Sequence, residues 1–434
     1  MVIQLRKMKQ SKIEWIGPVL ESWNINTAFQ VFTQVKNKNE GLVEQNLLSL
    51  SYGKIKRKSI ETVGGLLPES FDGYNIIEKD DIVLRLTDLQ NDQKSLRVGL
   101  SPERGIVTSA YLTLRNRSAS LPKYLYYYLY AFDISKGFYG MGAGVRQGLN
   151  WDGVKWLKIL SPSVSEQEKI IAFLDVKCAQ IDAVIEKTRA SIEEYKKLKQ
   201  SIITEAVTKG IRPGRKMKDS GIEWMGEIPE EWEMVRLKYL TTDIVDCPHE
   251  TPEYSEDGEY LVIRTADQDY ARLRSDADMF RLNYTQYNNR TRRMTLNKND
   301  IVYGREGERW GLACLVPESG KYCLGQRMMQ FRCDTKEILP LFSMYALSSL
   351  HVRRQGEFDT FGSTSPHVNI STIRNYRLPL PPISEQSEIC EYINKKVQYI
   401  DILVDKKEKE AVELEFYRKS LIFEYVTGKK AVAE

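Results

Sequence analysis

Histidine is scarce in this chain, and the motifs of the common enzyme classes are missing from it. Three histidines occur, at positions 249, 351 and 367, and no acid–base pattern links them, which leaves little from which to build a catalytic triad. The sequence contains no Asn/Asp-Pro-Pro-Tyr/Phe motif of an amino-methyltransferase and no nucleotide-binding loop. These absences favour a chain without catalysis of its own, although a loosely spaced nuclease carboxylate cluster stays open.

Cysteine pairs and long apolar runs are also missing. None of the six cysteines forms a C-x-x-C pair, so we expect reduced thiols, no metal site and a cytoplasmic protein. Cys247 and His249 lie two positions apart, but no second half of a metal site is nearby, and a packing or surface role is expected. Residues 1–10 lack a signal-peptide core, and the longest apolar stretch, residues 124–132, is far below the roughly 20 residues that span a bilayer.

Charged residues of both signs are abundant. The 63 basic and 59 acidic residues give a net charge of +4, which permits a nucleic-acid partner only if basic residues gather on particular faces. A hydrophobic content of 42% and a charged content of 28% are typical of a globular protein. The length is enough for two or three domains.

The chain contains an internal repeat. Residues 7–23 read KMKQSKIEWIGPVLESW and residues 216–232 read KMKDSGIEWMGEIPEEW, with ten identities in 17 ungapped positions. A second pair, SPSVSEQEKI at 161–170 and LPPISEQSEI at 380–389, has an offset of 219 (380 − 161). Almost nothing aligns between these pairs. We therefore predict two modules with different contents in a duplicated frame.

The segments that begin with Ser-Glu-Gln are predicted to be long helices. Apolar residues recur every seventh position on two columns of each, interrupted by Thr188 and Lys199 in the first and by Lys407 and Arg418 in the second. Such seams need a partner helix, and pairing of the two helices is favoured over packing of each onto its own module. Each helix of about 42 residues would be about 63 Å long. The serine of each Ser-Glu-Gln motif is expected to cap its helix.

The predicted fold class is mixed α/β (α+β): two variable modules and two long antiparallel coiled-coil helices in a pseudo-twofold tandem repeat. The expected boundaries are 1–160 for the first module, 161–210 for its helix, 211–379 for the second module and 380–434 for its helix. Predicted elements inside the modules are strands at 81–86, 105–114, 260–264 and 300–305 and short helices at 124–131 and 341–350.

Basic and amide side chains in both modules are candidates for contacts to nucleic acid. Lys and Arg neutralise phosphates, and Arg, Gln and Asn bind base edges; for each residue alone, a solvated or structural role is the competing interpretation. A glycine-rich stretch at 137–144 lacks the context of a phosphate-binding loop and is predicted to be a flexible loop. The candidates are Lys54, Lys56, Arg57, Arg85, Gln90, Arg97, Arg146 and Gln147 in the first module, and Arg264, Arg292, Arg305, Arg309, Gln326, Arg327 and His367 in the second.

Short motifs recur at equivalent places of the duplicated frame: IEWIG and IEWMG, SVSEQ and PPISEQ, and VTKG and VTGK, with RLTDLQNDQKSLRVG, REGERWGLACLVPE and CLGQRMM within the modules. These motifs, and the order of module, helix, module and helix, resemble the specificity subunit of a type I restriction–modification system. The resemblance covers essentially the whole chain, with one departure at Leu160-Ser161-Pro162, where the family usually has a second proline.

This resemblance implies a non-catalytic subunit without a cofactor. Each module would be a target-recognition domain that reads half of a split sequence in double-stranded DNA, and the paired helices would dock two modification (methyltransferase) subunits. Those partners would bind S-adenosylmethionine and methylate adenine, and two restriction subunits would use ATP and Mg. The alternatives are a recognition subunit of a stand-alone methyltransferase and a coiled-coil scaffold that does not bind DNA.

Overall fold

The computed structural model describes residues 7–59, 70–90, 92, 96–141, 148–274, 276, 279–360 and 366–432. Its contacts divide the chain into a first unit, residues 1–188 with 409–434, and a second unit, residues 189–408. Each unit contains one module, the first half of the helix that follows it and the second half of the other long helix. The units therefore cut across the predicted boundaries at 160, 210 and 379, because each long helix contributes to both hydrophobic cores.

The first unit is built from short strands and short helices around a four-stranded sheet. Its helices are α1 (Ala28–Val31), α2 (Pro122–Ile134) and α3 (Trp151–Val154). Its strands are β1 (Met8–Gln10), β2 (Pro18–Leu20), β3 (Asn24–Thr27), β4 (Phe32–Gln34), β5 (Leu48–Ser51), β6 (Lys54–Arg57), β7 (Asn75–Ile77), β8 (Ile82–Leu84), β9 (Val98–Leu100), β10 (Gly105–Val107), β11 (Leu112–Asn116) and β12 (Lys158–Ser161). Strands β4, β11, β8 and β9 form the antiparallel sheet in that order.

The second unit repeats this plan with additions. Its helices are α5 (Tyr284–Thr291), α6 (Pro340–Ser348), α7 (Leu350–Arg353), α8 (Glu357–Thr360) and α9 (Ile370–Arg374). Its strands are β13 (Met217–Asp219), β14 (Glu227–Pro229), β15 (Glu233–Arg236), β16 (Thr241–Asp246), β17 (Tyr260–Ile263), β18 (Gln268–Asp269), β19 (Arg272–Leu273), β20 (Phe280–Leu282), β21 (Ile301–Gly304), β22 (Ala313–Leu315), β23 (Tyr322–Leu324), β24 (Met328–Cys333) and β25 (Arg377–Leu380). Strands β16, β24, β21 and β22 form an antiparallel sheet in the same order as the equivalent strands of the first unit.

The two long helices are α4 (Val164–Lys209) and α10 (Ile383–Val426), with 46 and 44 residues. Both begin one residue before the serine that was expected to cap them, so the capping assignment was wrong. In α4 the hydroxyl of Ser163 instead accepts from the backbone N–H of Glu166, at 3.3 Å. Every helix in the described ranges is either too short or too polar to span a lipid bilayer.

Within each unit the helix halves pair antiparallel, as the heptads predicted. In the first unit the rings of Phe173 and Tyr425 lie 4.4 Å apart. Later in α4, Asp182 lies 2.9 Å from Arg418, which is earlier in α10 than Tyr425. In the second unit Lys199 Nζ lies 2.8 Å from Asp401 Oδ1. These ion pairs occupy equivalent positions at the offset of 219 (418 − 199 and 401 − 182). Two of the residues that interrupt the apolar columns are thus paired charges.

The Ser-Glu-Gln motif connects each module to the helix that follows it. The indole of Trp23 donates to Glu166 Oε2 at 2.9 Å, and Trp232 donates to Glu385 Oε2 at 3.1 Å. The next residue, Gln167, accepts from the backbone N–H of Leu121 at 2.7 Å, at the beginning of α2. Because an unpaired buried polar group is costly, these contacts explain why both modules carry the same tryptophan and the same motif.

A buried ion pair is also duplicated in the two sheets. Asp81, 2% exposed, binds Arg115 through both carboxylate oxygens at 2.8 and 2.6 Å. Asp300, 3% exposed, binds Arg332 in the same way at 2.9 and 2.7 Å. Each Asp immediately precedes an observed strand, β8 or β21, and each Arg lies on the neighbouring strand. β8 and β21 therefore occupy equivalent positions in the two sheets, because each follows an Asp that binds an Arg of the next strand.

Candidate nucleic-acid interface

The candidate residues Lys54, Lys56 and Arg57 lie on β6, the second strand of a hairpin with β5. All three are exposed, so the basic cluster is at the surface as predicted. Arg57 differs from the lysines because its Nε donates to Glu103 Oε1 at 2.6 Å. This hydrogen bond raises the pKa of Arg57, and much of its charge is balanced by Glu103. The lysines are the stronger candidates for phosphate contacts.

Arg85 and Gln90 lie in the loop that follows β8. Gln90 is exposed and Arg85 is half-buried, with Nη2 of Arg85 3.8 Å from Asp92 Oδ2. A loose ion pair of this kind leaves guanidinium donors for a ligand. The loop therefore remains a candidate reader of DNA, as the sequence predicted.

The prediction for Arg97 has to be corrected, because its side chain is completely buried. Its Nη1 donates to the carbonyl oxygens of Arg85 and Thr87 at 3.0 and 2.8 Å, and its Nε donates to the Tyr139 hydroxyl at 3.1 Å. The backbone N–H of Arg97 donates to Asp133 at 2.7 Å, a carboxyl whose pKa burial raises to about 6. Arg97 is an internal brace for the loop that carries Arg85 and is not available to bases.

Arg146 and Gln147 fall outside the residues that the structure describes, as does the end of the glycine-rich stretch from residue 142 onward. Both remain predictions from the sequence. Leu149, just beyond them, donates its backbone N–H to the carbonyl of Leu86 at 2.9 Å. This bond attaches the following segment to the loop after β8.

In the second module, Arg305 is the centre of a polar cluster. It is 3% exposed, and its guanidinium binds Asp246 Oδ1 at 3.0 Å and Glu306 Oε1 at 2.9 Å. One Nη lies 2.9 Å from Nε2 of His367 and the other lies 3.4 Å from Nε2 of His249. We call these five residues the Arg305 cluster. Because the guanidinium of Arg305 is buried and bonded to these four side chains, it is not free to contact a base. Its role in the cluster is to position the two histidines.

Gln326 and Arg327 are exposed beside this cluster. Gln326 Nε2 donates to the hydroxyl of Thr251 at 2.9 Å and reaches the carbonyl of His249 at 3.5 Å. Arg327 has a left-handed backbone, with φ of 70°. The structure thus brings Arg305, Gln326, Arg327 and His367 together, although their positions in sequence span 62 residues (367 − 305).

The other three candidates of the second module are not members of the cluster. Arg264 forms a bidentate pair with Asp267 at 2.8 and 2.7 Å and lies 3.7 Å over the ring of Phe280; the hydrogen bond to Asp267 raises the pKa of Arg264. Arg309 binds Asp269 at 3.0 Å. Arg292 is exposed at the end of α5, which makes it the least constrained of the three.

Several members of the cluster were not predicted as contacts to DNA. Asp246, His249 and Glu306 have no signal in sequence apart from the Cys247–His249 spacing, which was assigned to packing or the surface. That assignment describes Cys247, which is buried, and His249, which is exposed. No group of acidic, cysteine or histidine side chains able to hold a metal occurs in the described part of the chain.

The sequence and the fold were compared with those of known proteins. Residues 229–414 match the family model of the type I restriction modification DNA specificity domain. A protein of Methanocaldococcus jannaschii, named provisionally as the type I restriction enzyme MjaX specificity subunit, is 24% identical, with 99% of this chain and 98% of the relative covered. Over nearly its whole length, the chain is similar to the specificity subunits of type I restriction–modification systems.

Other relatives agree with this family. The type I restriction enzyme MjaVIII specificity subunit of the same organism is 24% identical over 75% of each chain. A solved chain from a study of complex assembly and conformational transition of the type I R-M system aligns with a TM-score of 0.62. It covers 95% of this chain and 99% of its own length at 16% identity, so the two chains share a fold.

Proposed function

We propose that each module of this specificity subunit binds one half of a split sequence in double-stranded DNA. The observation that carries the proposal is the contrast between the buried frame and the exposed loops. The Trp–Glu junctions and the Asp–Arg pairs are the same in both units, while the loops carry different sets of Arg, Gln, Lys and His. A constant frame with variable polar loops suits two heads that recognise different base sequences.

The contacts to DNA are divided among two kinds of residue in this proposal. Lys54, Lys56 and Arg292 are exposed cations that neutralise phosphates, and their contribution falls with rising salt. Gln90 in the first module and Gln326 in the second are exposed amides that bind base edges. Loops braced from within, as Arg97 braces the first, present such side chains with little loss of conformational entropy.

The chemistry of modification and cleavage belongs to other subunits in this proposal. The chain itself is non-catalytic; two methyltransferase subunits that bind S-adenosylmethionine would dock on it and methylate adenine. Restriction subunits that use ATP and Mg would join them. The paired helices, with their duplicated ion pairs, are the natural site for two equivalent partners because they present the same pattern twice.

The test is a genome-wide map of methylated adenine in cells with and without this chain, with the methyltransferase partner present in both. Loss of one split motif, methylated on opposite strands in its two halves, is the expected result. Exchange of residues 20–150 for another first module should then change one half of the motif only. An unchanged methylation map would favour a scaffold that does not bind DNA, and a change in both halves after the exchange would refute independent modules.

A further inference from the structure

We propose that the β5–β6 hairpin is a DNA-reading ribbon that enters the major groove, with Tyr52 at its tip as the residue that touches the bases. The inference rests on the proposed function and adds to it a specificity-determining residue. Tyr52 is 82% exposed and lies in the two-residue turn between Ser51 and Lys54. Among the described residues, Tyr52 is the most exposed of the large apolar and aromatic side chains.

The backbone of the turn is the second observation. Tyr52 has φ of 48° and Gly53 has φ of 75°, so both central residues are left-handed, as in the tight hairpin turns that favour Asn-Gly. A left-handed backbone is unfavourable for a bulky side chain. Tyrosine therefore occupies a position where asparagine would fold more easily, and such strain tends to occur at functional sites.

The two faces of the hairpin have opposite character. Leu48, Leu50 and Ile55 point into the module: the leucines are 2% and 5% exposed, and Ile55 packs on a buried cluster. The outer face carries Lys54 opposite Ser51 and Lys56 opposite Ser49. Cations and hydroxyls without an acidic residue suit a phosphate-lined groove, and the major groove is wide enough for a two-stranded ribbon.

The hairpin tip also lies beside the other candidate reader of this module. A side chain on Gly53 would meet Leu96 Cβ at 3.1 Å and the carbonyl of Val98 at 3.6 Å. Leu96 and the buried Arg97 end the loop that carries Arg85 and Gln90. The tip of the hairpin thus lies next to the end of this loop at Leu96. In the proposal, the ribbon inserts into the groove and the loop contacts the flanking bases.

The decisive variant is Tyr52→Asn, because it removes the ring and gives the turn a residue that the turn prefers. We expect the melting temperature to be unchanged or higher. The Kd is measured for the complex of this chain with its methyltransferase partner, bound to a duplex that contains the motif found in the methylation map, and it should rise on the order of 10-fold. In cells, base preference should relax in the half-site of the first module and stay unchanged in the other. Tyr52→Phe should behave as the wild type if the ring makes the contact.

Lysine variants supply the matched control. Lys54→Ala and Lys56→Ala should each make the negative slope of log K against log salt shallower by about 0.9. Lys79→Ala should not, because Lys79 is equally exposed but precedes β8, whereas the loop with Arg85 follows it. A wild-type complex without sequence preference would refute the proposed function itself. A specific wild-type complex that Tyr52→Asn leaves unaltered in affinity and motif would refute the hairpin alone.

Discussion

Replacement of Gln386 by leucine tests whether the Ser-Glu-Gln motif fastens the module to its helix. Gln386 is completely buried. Its Oε1 accepts from the backbone N–H of Leu339 at 2.7 Å, and its Nε2 donates to the carbonyls of Glu337 and Pro381 at 3.1 and 3.0 Å. The leucine has nearly the same volume but leaves all three backbone groups without this partner.

The expected magnitude follows from those three groups. Each buried group that loses its partner costs about 1–3 kcal/mol, and the added apolar contact of leucine offsets part of the sum. We expect the free energy of unfolding to fall by about 2–5 kcal/mol, which corresponds to a melting temperature lower by about 5–15 °C for a unit of this size. Gln167→Leu should act similarly, because Gln167 contacts Leu121 and Pro162 at 2.7 and 2.9 Å.

The assay is thermal unfolding of the full chain combined with hydrogen exchange of single amides. The Leu339 amide should exchange faster in Gln386→Leu, and the Leu121 amide should be affected only by Gln167→Leu. Gln180→Leu is the matched control, since Gln180 lies on the exposed side of α4. The reasoning is refuted if Gln386→Leu has the same melting temperature as Gln180→Leu and the Leu339 amide exchanges as slowly as in the wild type.

Three further outcomes are expected. Asp401→Leu should lower the free energy of unfolding by about 3–5 kcal/mol, because it leaves the buried Lys199 unpaired. The double variant Asp401→Leu/Lys199→Met should restore most of this stability. If denaturant titrations show no such rescue, the pairing is contradicted. The raised pKa of Asp133, about 6 against about 3.9 in an unfolded chain, means that the folded state holds the extra proton, so stability is lost as pH rises from 4 to 6, by up to about 3 kcal/mol. Asp133→Asn, whose amide oxygen can still accept from Arg97, should abolish this slope in unfolding measured against pH, and an unaltered slope would rule the group out. Ile181→Asp puts a charge into the helix seam, where Ile181 is 8% exposed, and should weaken assembly with the methyltransferase partner; an intact complex on gel filtration would count against the seam.

The features predicted well from the sequence are those with a local period. Heptads and strand patterns depend on residues a few positions apart, and so the long helices and the strands at 82–84 and 301–304 agree with prediction. The strand expected at 105–114 is divided into β10 and β11. An apolar run of that length does not reveal where the turn inside it falls.

The partners of charged residues could not be predicted, because they are distant in sequence. Lys199 and Asp401 are 202 positions apart, so Lys199 looked like a defect in a heptad. Arg97 looked like a surface cation because its acceptors are mostly backbone carbonyls, which sequence patterns do not display. The Arg305 cluster depends on a bridge between Glu306 and His367. In each case the tertiary fold decides whether a charge is a ligand contact or a support.

The two tryptophan junctions restrict how the long helices can change in length. Trp23 lies against Glu166 at the beginning of α4 and against the left-handed Gly428 that follows α10, while Trp232 does the same with Glu385 and Gly210. One inserted residue turns everything beyond it by about 100° and moves it 1.5 Å, which would carry the glycine off its indole and rotate the seam away from its partner. Insertions of seven residues keep the seam, and insertions of four need a local change of winding. Within each unit, a change in the length of one helix half therefore has to be matched in the other half that it pairs with.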